Sequence, residues 1–230
     1  MAAAGGGVTR ELNPLKALRR RREVRRINAV CGGWSSERHW RFFEQVLQET
    51  GAKSVCVLGV YQGRDVAYLA SILRDLGRAD GRLTGVDLFS DAPCRDWAED
   101  QKGKTWEEAG FGTAPNRERA LGNLRRLGLE SSVTLIQSEG TTFLRNTADR
   151  FDFIYVDTSH DYDTTVEHIL AAVDRLTPNG WIGGDDFSDE GTWGVKSAVA
   201  DCFTSWTEHK PKLWLARRAA FARRPAPATS

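Results

Sequence analysis

The stretch Asp157-Thr158-Ser159-His160-Asp161-Tyr162-Asp163 sets carboxylates on both sides of one histidine, and a second acidic pair, Asp185-Asp186, follows Gly183-Gly184. Each group stands where a short apolar run stops, at Phe151–Val156 and at Trp181–Ile182. If those runs are adjacent strands of one sheet, Asp157, Asp185 and Asp186 meet at one rim. Three carboxylates there repel one another unless a cation or a proton joins them. An oxygen-rich set favours a hard divalent ion such as Mg2+, with Ca2+ or Mn2+ as alternatives. The competing reading is that Asp157 or Asp186 caps the helix after it while another carboxylate faces water. His160 is the one histidine of four in this cluster. Its imidazole titrates near neutrality, so it can take a proton from a substrate hydroxyl, or it can be a hydrogen-bonding loop residue. His39, His168 and His209 fall in helical or edge contexts and read as surface or structural.

Upstream lies Leu58-Gly59-Val60-Tyr61-Gln62-Gly63-Arg64-Asp65, where glycines four apart let the chain turn tightly and approach a ligand. The spacing is neither the G-x-G-x-x-G of dinucleotide enzymes nor the Gly-Lys-Ser/Thr of a phosphate loop, so NAD and ATP are not favoured. Two glycines after a strand are also ordinary turn residues. About 25 residues further on, Leu83-Thr84-Gly85-Val86-Asp87 ends in a carboxylate able to accept both hydroxyl hydrogens of a ribose, or to cap a loop. Gln137-Ser138-Glu139-Gly140 offers further polar groups where an adenine would lie.

The elements that must position these residues follow from periodicity. Apolar runs at Ser54–Leu58, Leu83–Val86, Val133–Ile136, Phe151–Val156 and Trp181–Ile182 alternate with helical stretches at Arg64–Leu76, Asn116–Leu127, Thr164–Leu176 and Val195–Ser205. Fully apolar strands separated by helices predict a parallel sheet covered on both faces, and right-handed crossovers make it a doubly wound, Rossmann-like α/β fold. Ligands bind such sheets beyond the carboxyl ends of the strands, where the winding reverses. Ser205–Glu208 and Leu213–Ala216 predict an antiparallel hairpin at the C-terminal edge. Ahead of the sheet, Leu15–Ile27 has helical composition, and a second helix is expected from Ser36 to Gly51, with Trp40, Phe43 and Leu47 on one face.

Composition bounds the rest. A chain of 230 residues that is 40% hydrophobic supports one sizeable core. Its 32 Lys and Arg against 31 Asp and Glu leave no overall field for nucleic acid or an acidic membrane. The exception is the span from Arg10 to Arg26, with eight basic residues and two acidic ones. No aromatics interleave its arginines, which argues against a nucleic-acid surface. Cys31, Cys56, Cys94 and Cys202 are scattered, without zinc-site spacing or disulfide density. With no secretory pattern and no apolar run near the roughly 20 residues of a membrane span, a cytoplasmic protein is expected. The expected organisation is a disordered 1–12, a helical cap or arm over 13–51, a main domain over 52–218 with a lid or insertion at 89–115, and a disordered tail at 219–230.

Taken together, Gly59-Val60-Tyr61-Gln62-Gly63, Asp87, the Asp157–Asp163 segment and Thr177-Pro178-Asn179-Gly180-Trp181-Ile182-Gly183-Gly184-Asp185-Asp186-Phe187 resemble class I S-adenosylmethionine (SAM)-dependent methyltransferases of the antibiotic and sugar O-methyltransferase group. The likeness runs from about Lys53 to Ala216 and includes Gly194-Val195-Lys196-Ser197-Ala198-Val199. It implies SAM as cofactor, held by Gly59, Tyr61, Gly63, Asp87, Ser138, Glu139 and Asp157. The glycines would face its methionine part, Asp87 the ribose and Glu139 the adenine. It implies Asp157, Asp185 and Asp186 as metal ligands, Mg2+ or another divalent cation as the ion, and His160 with Asp157 as catalytic residues. Three departures stand out. Val57 replaces an acidic residue that often contacts the SAM amino group, Asn179 replaces a glycine, and Ser159 stands where some relatives have an aspartate base.

The expected activity is therefore metal-assisted O-methylation of a small hydroxylated acceptor such as a sugar or phenol. Trp97, Trp106 and Phe111 of the 89–115 segment are candidates for its pocket wall. Two alternatives stay open: a SAM-binding protein that uses its basic helix on RNA or an anionic surface, and a metal-dependent hydrolase or lyase without SAM. A homo-oligomer is compatible with each.

Overall fold

A computed structural model of the chain describes residues 14–93 and 96–222. The expected disordered segment 1–12, Cys94 and the end of the tail from residue 223 lie outside the described residues.

Two helices come first, α1 (Pro14–Val30) and α2 (Glu37–Thr50). Ser36 and His39 form a capping box at the start of α2, and Gly51 ends it in the left-handed region at φ 70°. The sheet then builds through β1 (Ser54–Leu58), α3 (Arg64–Asp75), β2 (Arg82–Asp87), α4 (Arg117–Leu127), β3 (Thr134–Gln137), α5 (Gly140–Asn146), β4 (Phe151–Val156), α6 (Tyr162–Arg175), β5 (Leu176–Gly184), α7 (Val195–Cys202), β6 (Thr207–His209) and β7 (Leu213–Arg217). The seven strands lie in the order β3-β2-β1-β4-β5-β7-β6. β1 to β5 pair in parallel, while β7 runs antiparallel to β5 and to β6, as the edge hairpin requires. The winding reverses between β1 and β4, which is where a ligand crevice opens in such a sheet.

Period-2 alternation explains why the strands are apolar throughout. On β1, Val55 and Val57 enter one core with α1 to α4, and Cys56 and Leu58 enter the other with α5 to α7. A sheet buried on both sides has no polar face to show in its sequence.

The N-terminal helices lie on the same layer as α3 and α4. Val24 and Ile27 of α1 are buried in that core. Of the described basic run only Arg20 is buried, and the other basic residues stay exposed, several of them paired with acidic neighbours. Arg20, nearly inaccessible, pairs with Glu37 and Glu44, Arg19 with Asp75, and Arg26 with Glu23 and the Leu127 carbonyl. No helix among the described residues is long and apolar enough to cross a membrane.

Three local features differ from expectation. α5 has only seven residues, too few to show helical periodicity, and exists because Glu139 caps it. β5 starts at Leu176 directly after α6: Leu176 pairs with Phe151 and Trp181 with Phe153, so residues 177–180 bulge out of register. The chain also stays in the fold through Ala222, beyond the expected start of the tail at Ala219. Phe221 bridges Phe203, and the Ala222 N–H donates to the Cys202 carbonyl.

Candidate active site

At the ends of β1 and β2 the site is made largely by backbone. Gly59, at φ 89°, lies so close to the end of β4 that a Cβ would stand 1.6 Å from the Asp157 carbonyl oxygen. Its bare edge therefore serves an approach of chain to chain. Gly63 at φ 92° starts α3 from the left-handed region. The Asp87 carboxylate ties the loop down: Oδ2 accepts from the N–H groups of Val60 (2.8 Å) and Tyr61 (2.9 Å), and Oδ1 from Phe89 (2.7 Å). A carboxylate has about four lone-pair sites, so Asp87 keeps capacity for one further donor where two ribose hydroxyls were expected.

Among the described residues three non-glycines have positive φ, namely Tyr61 (51°), Phe89 (47°) and Asp186 (50°). They follow β1, β2 and β5, so the uncommon backbone of the described residues gathers at one sheet edge, as at functional sites. Beside Asp87, a cleft of about 520 Å3 opens between Phe89, Asp91, Pro115, Arg119 and Gln137. Its size suits a small ligand. Ser138 and Glu139 follow Gln137. Glu139 accepts from the N–H groups of Thr141 (2.7 Å) and Thr142 (2.6 Å) and meets His168 Nε2 at 3.2 Å. The His168 contact first, then the helix N–H groups, hold its carboxyl well below the usual range.

At the ends of β4 and β5 the site is made by side chains. One ligand atom each from Asp157, His160 and Asp186 fall within 4.8 Å of one another. His160 Nε2 stands 3.0 Å from Asp186 Oδ2 and 3.7 Å from Asp157 Oδ1. Although close, these oxygens lie off its N–H direction, and the buried nitrogen makes no hydrogen bond. Asp185, expected as the third ligand, is turned away. Its Oδ2 meets His39 Nε2 at 2.9 Å, and its Oδ1 accepts the Asp186 N–H. Because His39 Nδ1 accepts the Ser36 N–H, the ring proton sits on Nε2 and is donated to Asp185. The helix-cap role falls to Asp161, which accepts from Thr164 N–H at the start of α6, rather than to Asp157.

Electrostatics follow from this crowding. Burial, with the charges of Asp185 and Asp65 beside it, pushes Asp157 up to about 7 against the pull of His160. Burial alone would lower the His160 pKa, but contact with Asp157 and Asp96 and the field of Asp186 outweigh it and raise the imidazolium to about 10. Asp186 is raised, chiefly by burial. The crowding of like charge is relieved by a proton or a cation at its centre.

The 89–115 segment supplies Asp96, whose Oδ2 stands 2.7 Å from His160 Nδ1 and whose Oδ1 stands 2.9 Å from Ser159 Oγ. Burial opposes its ionisation, yet the His160 and Ser159 bonds hold its carboxyl below the usual range. Trp97, Trp106 and Phe111 pack on one another and reach the glycine loop. Trp106 stacks on Tyr61 at 5.9 Å, and Trp34, 65% exposed, covers the other rim of Tyr61 at 5.0 Å. Sequence reasoning missed Asp96, His39 and Trp34. Asp96 lies in a segment without periodicity, His39 reads as a surface or structural histidine of a helix, and Trp34 stands alone in a short connection.

Residues 56–187 match the protein family described as a methyltransferase domain. Among solved structures, the chain resembles an O-methyltransferase from Bacillus cereus in complex with SAH, at 16% identity and a TM-score of 0.56 over 86% of this chain and 90% of that one. It resembles the O-methyltransferase TomG from Streptomyces achromogenes, involved in tomaymycin synthesis and in complex with SAM, at 16% identity and a TM-score of 0.51 over 80% of each. A methyltransferase from Geobacter sulfurreducens aligns at 15% identity and a TM-score of 0.54 over 92% of this chain and 91% of that one. At these identities the likeness is one of fold. No curated protein sequence matches the chain.

Proposed function

The chain belongs to the methyltransferase-domain family, with a class I SAM-dependent fold, and from that premise we propose that it transfers the methyl group of SAM to a hydroxyl oxygen of a small acceptor, such as a sugar or a phenol, with help from a divalent cation. The observation that carries this reading is the meeting of Gly59, Asp87 and Asp157 at one edge, beside the acid–histidine cluster. On this reading residues 52–218 form the methyltransferase domain and 89–115 its lid.

The backbone from Gly59 through Tyr61 to Gly63 takes the methionine part of SAM, Asp87 takes one ribose hydroxyl, and Ser138 and Glu139 border the adenine. Methyl transfer from a sulfonium needs no covalent intermediate, only an oxygen held in line behind the methyl group, so positioning supplies most of the acceleration. Trp34, Tyr61, Trp97, Trp106 and Phe111 would wall the acceptor and exclude water. A base works best with a pKa near the working pH. Without an ion, Asp157, pushed up to about 7, meets that condition and His160 at about 10 holds a proton that steadies the carboxylates; an ion held by the same residues would displace that proton. The two titrate as a pair.

Asp157, His160 and Asp186 fit a divalent ion, because a buried ring nitrogen without a hydrogen bond converges there with two carboxylates. Such an ion would lower the pKa of the attacking hydroxyl.

Calorimetric titration with SAM, followed by mass spectrometry of the protein incubated with SAM and hydroxylated acceptors, tests the reading. Saturable SAM binding and a product heavier by one methyl group are expected. Absence of binding at millimolar SAM removes it.

A further inference from the structure

The lid touches the acid–histidine cluster through Asp96, and that contact is closely built. The Asp96 side chain is only 7% exposed, although most of the surrounding segment lies at the surface. Its carboxylate reaches His160 Nδ1 and Ser159 Oγ, its N–H donates to Ser159 Oγ at 3.3 Å, and its carbonyl accepts from Thr192 Oγ1. Asp96 is thereby tied to the loops after both β4 and β5. The His160 ring is held on another side by Trp193, at 5.2 Å between centroids.

We propose that Asp96 is a positioning residue that makes His160 a nitrogen ligand, so that the Asp157–His160–Asp186 site takes a first-row transition ion such as Mn2+ in preference to Mg2+. The inference rests on the metal-assisted reading given above. Which nitrogen of a ligating histidine faces the metal is set by the hydrogen bond the other one makes. Here a buried carboxylate holds the proton on Nδ1, and Nε2 is left to face two carboxylates. Asp185 is engaged by His39 Nε2 and the Asp186 N–H, so the groups that converge here are two carboxylates and the His160 ring nitrogen. Imidazole suits first-row ions such as Fe2+, Ni2+ and Zn2+ and carboxylates suit Mn2+, whereas Mg2+ dehydrates reluctantly and keeps its own water, so a mixed nitrogen and oxygen set disfavours Mg2+. Carboxylates in Asp96's position over a ligating histidine are commonly worth about 10- to 100-fold in metal affinity.

The test uses the full chain without SAM or acceptor. Free Mn2+ is followed by electron paramagnetic resonance in the wild type, Asp96→Asn and Asp96→Ala, with Mg2+ as competitor, and folding is checked by circular dichroism. The wild type should hold Mn2+ against excess Mg2+, and both variants should lose about 10- to 100-fold in Mn2+ affinity. In parallel, proton NMR of the metal-free wild type should show a strongly downfield His160 Nδ1–H resonance that disappears in Asp96→Ala. Unchanged Mn2+ affinity in both folded variants, or a resonance that survives Asp96→Ala, overturns the role of Asp96 alone. Failure of the wild type to bind Mn2+ overturns the metal part of the functional reading as well.

Discussion

Around Asp87, the polar contacts come from backbone N–H groups within the adjoining loops, whereas around His160 they come from side chains of Asp96, Asp157 and Asp186, scattered over 91 positions of the chain. A backbone-built edge constrains residue type through geometry, because only certain residues tolerate a left-handed turn or a contact closer than a Cβ allows. A side-chain-built edge constrains chemistry instead, and its members can be exchanged one at a time with the fold intact. Substitutions should therefore separate the two, stability answering for the first and reactivity for the second.

The largest effect is expected from Gly59→Ala, where the added Cβ meets the Asp157 carbonyl at 1.6 Å. A loss of about 4 kcal/mol or more, or failure to fold, should appear in urea unfolding. Gly63→Ala has no neighbour nearer than 3.7 Å and pays only for its positive φ, about 1–3 kcal/mol. Equal losses at the two glycines would break the distinction.

Next comes Asp186→Asn. Turnover should fall about 10²- to 10³-fold if the cluster does acid–base or metal work, with the unfolding midpoint nearly unchanged. Wild-type turnover in this variant, unaffected by chelator, would make the cluster structural.

Asp87→Asn should weaken SAM binding by about 10- to 100-fold in calorimetry, the cost of losing hydrogen bonds to a charged group, and it should also loosen the loop it ties down. Here the two edges overlap.

The smallest effect is expected at Glu139. Its folded-state pKa lies below the ordinary carboxylate value, so its contribution to stability is present above that value and is lost as pH falls through the lower one. Glu139→Gln should cost about 1 kcal/mol at pH 7, in the range of a helix cap, and the gap to wild type should begin to narrow below about pH 4 and go on narrowing as the pH falls further in thermal unfolding. A gap that persists in acid would mean that shape, not charge, does the capping.

The same division decided what could be read from residue order. β1 to β4 and their helices were legible because buried parallel strands leave continuous apolar runs. α5 was not, being seven residues long, nor was the register jump in β5, which depends on how residues 177–180 bulge. The cluster around Asp157 and His160 was visible as a density of acids beside a histidine. That Asp186 joins it while Asp185 turns to His39 was not visible, because neighbouring residues at a strand end point opposite ways and their order in the sequence does not say which faces inward. Asp96 left no trace, since a lone aspartate in an aperiodic segment looks like solvent-facing charge.

Whether the two edges form one reaction site is tested most directly by a crystal structure of the protein with SAH and Mn2+. The nucleoside should lie beside Asp87 with its sulfur facing the gap between Asp157 and His160, and the manganese anomalous signal should sit among Asp157, His160 and Asp186. A nucleoside bound elsewhere, or a sulfur pointing away from that gap, would contradict the account.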